Sequence, residues 1–512
     1  MAILGAIIKR TFELRGRMPK MRRVNGVRQQ QKVLKKLLSK AEFTAFGEHY
    51  NFSKILSDPN TLDAFRSSVP THDYNSMYKN WWYRSLKGEK NVCWPKKIKY
   101  FALSSGTSES ASKSIPVTSD MIKAIVKTTT NQLTCQAKID LPKEHFERKV
   151  LMVGGSTDLK YNGVYYEGDL SGITTGNVPF YAQNFSKPGK EISKQKDWEK
   201  KLEEITKNAP NWDIGIICGV PAWIQILFQR IIKEYNVNNI HDIWPNLKVY
   251  VHGGVSFAPY KKGFEKLLGQ PLMYFDTYLA SEGFVAFQDR PDAEGMRMVL
   301  DVGIYYEFVP FNDKNFDSDG VMVENPQVLH IGEVKEGEEY ALLLSTCSGA
   351  WRYLIGDVVK FSNLKNYEII ITGRTKHFLS LCGEHLSQDN MNKAIELVSK
   401  ELNIDVKEFT VTGISFEGMF AHHWYIGTDD KVDSKVFKQL LDNHLKELND
   451  DYKVERIAAL KDVIVDILPA DTFYEFMRLK GKAGAQNKFP RVLKNKQLHE
   501  WKDYLVLNKL QA

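Results

Sequence analysis

Residues 104–116 read Ser-Ser-Gly-Thr-Ser-Glu-Ser-Ala-Ser-Lys-Ser-Ile-Pro, a stretch whose side-chain types suit the binding of a polyphosphate. Backbone N–H groups and the hydroxyls of Ser104, Ser105, Thr107 and Ser108 can donate to phosphate oxygens. Gly106 lets a ligand approach the chain closely, and Lys113 adds a positive charge on a long side chain. The spacing is not that of a Walker loop, because no glycine stands before Lys113 where Gly-x-x-x-x-Gly-Lys-Ser/Thr requires one. A solvated polar loop is the plainer reading of the same residues, since Ser/Thr clusters commonly mark loops.

Three further clusters stand downstream. Tyr278-Leu279-Ala280-Ser281-Glu282 closes an apolar run, and Tyr353-Leu354-Ile355-Gly356-Asp357 lies in a β-rich stretch. Gly481-Lys482-Ala483-Gly484-Ala485-Gln486-Asn487-Lys488-Phe489-Pro490-Arg491 lies near the C-terminus. The adjacent pair His422-His423 could tempt a reading as a base, but neighbours on a strand face opposite ways, which favours structural roles.

The elements that must position these residues follow from periodicity. The apolar run Ile98 to Leu103 predicts a strand opening into the Ser/Thr loop, with a helix from about Thr118. Lys149 to Val153, Asp213 to Cys218, Lys248 to Val251 and Leu272 to Tyr278 predict further strands, the first three ending in glycine pairs or Gly-Val-Pro. Helices are predicted after Pro221 and near Tyr260 to Leu268. Such alternation implies a largely parallel α/β sheet whose ligands bind at the carboxyl ends of the strands, and the polar clusters fall at that edge.

From about residue 299 to 372 the pattern changes. Short runs at Met298 to Val302, Tyr305 to Pro310, Tyr340 to Ser345 and Tyr367 to Thr372 predict hairpins or a small barrel. Beyond a boundary at Gly373 to Lys376 the pattern is mixed. Helices are predicted at Ser387 to Glu401 and Ser434 to Leu448, and strands at Glu408 to Ser415 and His423 to Thr428.

Bulk properties narrow the class. At 512 residues the chain predicts two to four domains or lobes, and its 43% hydrophobic and 26% charged content is that of a soluble globular protein. No apolar run approaches the ~20 residues of a membrane span. Five scattered cysteines form no Cys-x-x-Cys pair, which suits a reducing compartment and predicts a cytoplasmic location. The net charge of +8 is local: the first 40 residues hold twelve Lys/Arg against Glu13, so the remainder carries −3. That confinement disfavours a nucleic-acid binder. Val33, Leu34, Leu37 and Leu38 make this end an amphipathic basic helix, read as docked by its apolar face in preference to contacting an anionic membrane surface or an acidic partner.

In order and spacing these motifs resemble the adenylate-forming superfamily of acyl-CoA synthetases, peptide-synthetase adenylation domains and luciferases. The chain looks more closely like the auxin-responsive Gretchen Hagen family of acyl acid–amido synthetases, particularly its bacterial members. The narrower likeness rests on Gly168-Asp169-Leu170-Ser171-Gly172, Gly219-Val220-Pro221-Ala222-Trp223, His252-Gly253-Gly254-Val255 with Pro259-Tyr260, and the tail Gln486 to Arg491.

The resemblance implies an α/β fold: a large N-terminal ATP- and acyl-binding domain (1–372) with a small β-barrel-like region, and a smaller mobile α+β C-terminal domain (373–512). It implies an ATP- and Mg²⁺-dependent ligase that adenylates a small carboxylic acid and passes the acyl group to an amino acid. Ser104, Ser105, Gly106, Thr107 and Ser108 would cradle phosphates, with Lys113 nearby. Gly253 and Gly254 would wall the adenine slot and Tyr278 would stack on the base. Ser281 would touch the α-phosphate and Glu282 would hold Mg²⁺, which prefers carboxylate and phosphate oxygens. Asp357 would accept ribose hydroxyls, Arg374 would sit near the ribose, Lys376 would fall at the pivot, and Lys488 would reach the α-phosphate. The chain departs from the family at Ser110 (usually Gly), Leu354 (usually Arg) and Leu279 (usually small). An acyl-CoA synthetase, or a non-catalytic sensor of a nucleotide or acid, is the alternative that stays open.

Overall fold

The computed structural model describes residues 9–11, 25–104, 113–136, 139, 141–254, 257–291, 293–317, 320–375, 379, 384, 386, 388–416, 419–449, 452–453, 456, 460–481, 489–493 and 495–508. The first strands are β1 (Tyr100–Ser104), β2 (Lys113–Val117), β3 (Lys149–Val153), β4 (Lys160–Tyr161) and β5 (Tyr166–Gly168). Next come β6 (Ser186–Lys187), β7 (Ile214–Gly219), β8 (Val249–Gly253), β9 (Met273–Ala280), β10 (Gly283–Phe287) and β11 (Met296–Met298). The chain continues through β12 (Ile304–Pro310), β13 (Glu339–Thr346), β14 (Tyr353–Asn363) and β15 (Glu368–Arg374). The last are β16 (Val406–Phe416), β17 (Met419–Thr428) and β18 (Leu460–Leu468).

One sheet of eleven strands organises the first three quarters of the chain, in the order β12-β13-β14-β15-β11-β10-β9-β8-β7-β3-β6. Its β6-β3-β7-β8-β9 half is parallel, as the strand–helix alternation predicts. Its other half is antiparallel throughout, beginning with the β9–β10 hairpin. The β-rich stretch predicted as hairpins or a small barrel is therefore a meander that extends the parallel sheet. The β13–β14 (347–352) and β14–β15 (364–367) connections are short enough only for hairpins, and the longer β12–β13 connection (311–338) holds no helix among its described residues.

Helices cover the parallel half on both faces. The helix α1 (Gly26–Ala41) is capped by Asn25, whose side chain accepts from the Arg28 N–H, and it packs against β12. Val33, Leu34, Leu37 and Leu38 are all buried there, so the apolar face of the basic helix is docked on the fold as expected. Helix α2 (Ser119–Gln136) lies on one side of the sheet; α3 (Trp198–Asn208), α4 (Pro221–Glu234) and α5 (Ala258–Glu265) share a core with the other. No described helix is long and apolar enough to cross a membrane.

Residues beyond Arg374 build a separate three-stranded sheet, β16-β17-β18. Helices α6 (Gln388–Leu402) and α7 (Ser434–Leu448) share one apolar cluster with it. Helices α8 (Ala470–Leu479) and α9 (Asn495–Leu507) supply Phe473, Phe476 and Trp501 to a second cluster around Tyr425. Helix α5 meets this unit directly: the Lys262 ammonium donates to Asn403 Oδ1 at 2.7 Å.

Candidate functional site

The change from parallel to antiparallel pairing creates the site. At the tip of the β9–β10 hairpin the turn residues are Ser281 and Glu282, at the carboxyl ends of the parallel strands. On the neighbouring antiparallel pair, Asp357 of β14 is the register partner of Arg374 of β15. The two side chains face each other, with Arg374 Nε 2.9 Å from Asp357 Oδ1. The hydroxyl of Tyr278, on β9, donates to the other carboxylate oxygen of Asp357. Burial and the adjacent Asp357 charge raise the Tyr278 pKa, so this hydroxyl remains a donor.

Glu282 is 7% exposed. Burial, and then the neighbouring Asp357 charge, push its carboxyl up to about 7, with Lys113 and Arg374 pulling the other way. On β14, burial and then the Glu282 charge raise the Tyr353 hydroxyl's pKa, so it stays protonated. Four charged groups thus converge on one spot. A buried acid held near neutrality by an imperfect balance of charge is a common mark of a functional site.

The two glycines that end β8 carry separate requirements. A Cβ at Gly253 would fall 2.4 Å from the carbonyl oxygen of Thr277, so only glycine permits this approach of β8 to β9. Gly254 has φ +81°, the left-handed region that glycine enters without strain. Both border the same cavity as Lys113, Tyr278, Ser281, Glu282, Asp357 and Arg374. Its volume is about 1350 Å³, above the range of pockets for one drug-sized ligand, so it can hold a nucleotide and a second molecule together.

One wall of the cavity is the sheet face made by Val150, Met152, Ile216, Cys218 and Val251, alternate residues of β3, β7 and β8. Ile125, Val126, Thr129 and Leu133 of α2 form the facing wall. The C-terminal unit closes a further side with Glu408, Phe489, Pro490 and Arg491.

Several sequence expectations need adjusting. Lys113 lies on a strand, β2, that forms a hairpin with β1 and pairs with Ser104, so a strand intervenes before the predicted helix. It still borders the cavity. Leu354 stands between Tyr353 and Ile355 on β14 and packs with Val309, Phe316 and Leu343 in a separate apolar cluster. The departure from the family at this position therefore falls on the sheet face away from Asp357. Leu279 borders the cavity and is partly exposed. Ser105, Gly106, Thr107, Ser108, Ser110, Lys376 and Lys488 lie outside the described residues, as does the side chain of Ser104.

His422 and His423 are structural, as expected from their alternation. His422 Nε2 lies 2.9 Å from buried Glu384, and His423 Nε2 lies 2.9 Å from Asp466. Sequence reasoning gave no role to Tyr353 or to a second buried group, Tyr260–Glu408–Arg491. There the Tyr260 hydroxyl donates to Glu408 Oε1 at 2.9 Å and the Arg491 guanidinium donates to Glu408 Oε2. Tyr260 and Arg491 stand in motifs, but 83 residues separate Arg491 from Glu408, and nothing local links them.

Comparison with known proteins places this geometry in context. The model of the GH3 family N-terminal domain matches residues 20–162 and 157–273, that of the central domain 297–374, and that of the C-terminal domain 389–497. A jasmonoyl–L-amino acid synthetase, JAR6 of Nicotiana attenuata, is 30% identical over 183 residues, covering 33% of this chain and 30% of that protein. The indole-3-acetic acid-amido synthetase GH3.4 of Arabidopsis thaliana is 25% identical over 274 residues, covering 49% and 45%. These alignments span about a third to a half of the relatives' length. The GH3.15 acyl acid amido synthetase shares the fold with a TM-score of 0.77 at 16% identity, over 98% of this chain and 96% of that one. The 2-hydroxyisobutyryl-CoA ligase in its postadenylation state shares it at 0.59 and 12% identity, over 94% and 90%.

Proposed function

The chain belongs to the GH3 family, and we propose that it is an ATP-dependent acyl acid–amido synthetase. One carboxylate oxygen of a small organic acid attacks the α-phosphorus of ATP and pyrophosphate leaves. The amine of an amino acid then attacks the acyl carbonyl of the adenylate, forming the amide and releasing AMP. The observation that carries this reading is the buried Glu282, beside Lys113, Asp357 and Arg374 at the mouth of a cavity large enough for both substrates.

The residues fit the roles. Asp357 has lone pairs beyond those engaged by Tyr278 and Arg374, so it can accept ribose hydroxyls while its partners hold it in place. Tyr278 with Gly253 and Gly254 would enclose the base, and Ser281 would approach the α-phosphate. Among the described residues no cluster of three metal-ligating side chains occurs, and Mg²⁺ is commonly held by one or two carboxylates together with phosphate oxygens and water. Glu282 fits that donor set. Mg²⁺ would supply charge neutralisation at the α-phosphate. A bound cation would also favour the ionised form of Glu282 over the protonated form that burial favours. Ser105, Gly106, Thr107 and Ser108 would cradle the phosphates, and Lys488 would stabilise the growing negative charge. Phe489, Pro490 and Arg491, which follow Lys488, border the cavity.

The division of labour is a 1–372 domain that binds ATP and acid and a 373–512 domain, hinged near Lys376, that swings to exchange the adenylation arrangement for the amide-forming one. A cytoplasmic location accords with four described cysteines that are all free.

The test is pyrophosphate release with ATP and Mg²⁺ over a matrix of carboxylic acids and amino acids, with Glu282→Ala and Lys488→Ala as controls. Release that needs one acid, increases with one amino acid and disappears in both variants supports the ligase. Turnover coupled to coenzyme A, independent of amino acids, would replace it with an acyl-CoA synthetase. Nucleotide binding without release across the matrix would point to a sensor.

A further inference from the structure

The cavity continues from the Glu282 end to the opposite edge of the parallel strands. His145 lies in the short helical turn Lys143–Glu147, before β3 begins. A Cβ built on Gly215, near the start of β7, would lie 3.3 Å from His145 Cε1, which fixes the ring at the amino ends of the strands. The wall from Val150 to Gly154 spans four residue steps, about 13 Å at the ordinary strand rise. His145 therefore sits across the length of the sheet from the nucleotide end.

His145 is 4% exposed, borders the cavity, and has no hydrogen-bond partner at either ring nitrogen. Gln132, on α2, is 5% exposed, borders the same cavity, and has an unpartnered Nε2. Leu133 and Phe146, their immediate neighbours, belong to one apolar cluster with Ile216 and Val249. Buried donors and acceptors are almost always satisfied, and leaving them unpaired is costly. Burial, then the Arg148 and Lys248 charges, push the His145 pKa down to about 4. The neutral ring presents one donor and one acceptor. Arg148 is paired with Asp213.

Resting on the reading that this cavity holds the acyl acid, we propose that His145 and Gln132 form a hydroxyl-recognition site, and that the preferred substrate is a carboxylic acid with a hydroxyl at the end remote from its carboxylate. A hydroxyl matches the set: it donates to the acceptor nitrogen of His145 and accepts from the Gln132 amide. An unsubstituted apolar acid would leave both groups unpaired. A site built in this way discriminates against the analogue lacking the hydroxyl far more strongly than an apolar pocket discriminates against an extra methylene.

The experiment uses the full-length protein and acids matched in length, 4-hydroxyphenylalkanoates against phenylalkanoates and ω-hydroxyalkanoates against alkanoates. Direct binding is measured by titration calorimetry and amide formation by product analysis. The hydroxylated member of at least one pair is expected to be favoured on the order of 10²-fold in both readouts. The ratio should collapse towards one in His145→Phe and in Gln132→Leu, and be partly retained in His145→Asn. Gln132→Leu lies on a different element, so it carries the test should His145→Phe fail to fold. A ratio near one in the wild type, or one unchanged in both apolar variants, overturns the hydroxyl site. Equal turnover of both members overturns the site and leaves the ligase standing. Hydroxyl-selective binding without amide or pyrophosphate overturns the ligase and supports the site.

Discussion

Two ion-paired groups in this molecule have nearly the same composition and different surroundings. Asp357, Arg374 and Tyr278 form one; Glu408, Arg491 and Tyr260 form the other. Each joins a carboxylate to a guanidinium and to a tyrosine hydroxyl, and both border the same cavity. The second group balances its charges internally, with Arg491 also donating to the Phe409 carbonyl and lying over the Phe409 ring at 4.3 Å. The first shares its space with a further acid, Glu282, and with Lys113; burial, and then the Asp357 charge, raise the Glu282 carboxyl. A closed ion pair suits a structural role, here within the C-terminal unit, with the Tyr260 hydroxyl joining it to α5. A buried acid with its carboxyl raised is poised for an added cation. The comparison assigns holding to one group and chemistry to the other.

Breaking the balanced group should have the largest effect on stability. Glu408→Ala would leave Arg491 buried and unpaired, and a broken buried pair typically costs about 3–5 kcal/mol. Urea unfolding followed by tryptophan fluorescence should register that loss. The paired replacement Glu408→Met with Arg491→Met should recover most of it, because two apolar side chains leave no orphaned charge. If the single and double variants lose the same amount, Glu408 and Arg491 are not coupled and the contrast with the Asp357 group fails.

Glu282→Gln should act in the opposite sense on stability and activity. Removing the only acid proposed to hold the metal should lower kcat/KM for pyrophosphate release by about 10²–10³-fold, the usual cost of one lost electrostatic stabiliser. The unliganded protein should meanwhile gain stability above pH 7. The gain is on the order of 3 kcal/mol, since each pKa unit is worth about 1.4 kcal/mol. A variant that lost activity and stability together would make Glu282 a structural residue.

The pH dependence isolates the same carboxyl. Glu282 titrates at about 7 in the fold, against an ordinary value of 4.5. Between those values the folded chain holds a proton that the unfolded chain has released, so this group's contribution to stability falls as pH rises from 4.5 to 7 and is level above. The slope reaches at most about 1.4 kcal/mol per pH unit. Subtracting the Glu282→Gln curve from that of the wild type should recover it. Activity should climb through the same window, because the metal needs the ionised form. A flat difference curve would remove the claimed shift.

The legibility of these groups in the sequence differed for physical reasons. Glu282 and Asp357 stand at strand ends or next to glycine, where short-range patterns reveal them. Glu408 is an ordinary residue of β16, and its meaning depends on a partner brought in by folding. The parallel strands were readable as apolar runs ending in glycine. The strand β2 was missed because Lys113-Ser114-Ile115-Pro116-Val117 reads as loop; it is an edge strand, the position in a sheet that tolerates proline. In β14, Gly356-Asp357 resembles a turn, yet the strand runs on to Asn363, with a register irregularity just beyond Asp357. His145 and Gln132 gave no signal at all. A lone histidine carries none until its unpaired ring is seen against a cavity.

The smallest expected effect sharpens the comparison most, because the same substitution can be made in both groups. Tyr278→Phe and Tyr260→Phe each delete one hydroxyl that donates to a carboxylate. A hydrogen bond to a charged group is worth about 1.5–3 kcal/mol, and retained lone-pair capacity for water reduces the loss where the carboxylate can be reached. Tyr260 is fully buried and Glu408 nearly so, so Tyr260→Phe should cost stability near the upper end and change nucleotide affinity little. Asp357 keeps Arg374 and borders the open cavity, so Tyr278→Phe should cost about 1 kcal/mol or less. Its larger effect should be on the KM for ATP, because the freed oxygen of Asp357 loses the group that orients it towards the ribose. Thermal melts and ATP titrations on the two variants read both quantities. Equal changes in stability and in KM would mean that the two groups do the same job, and the division between holding and chemistry would have to be abandoned.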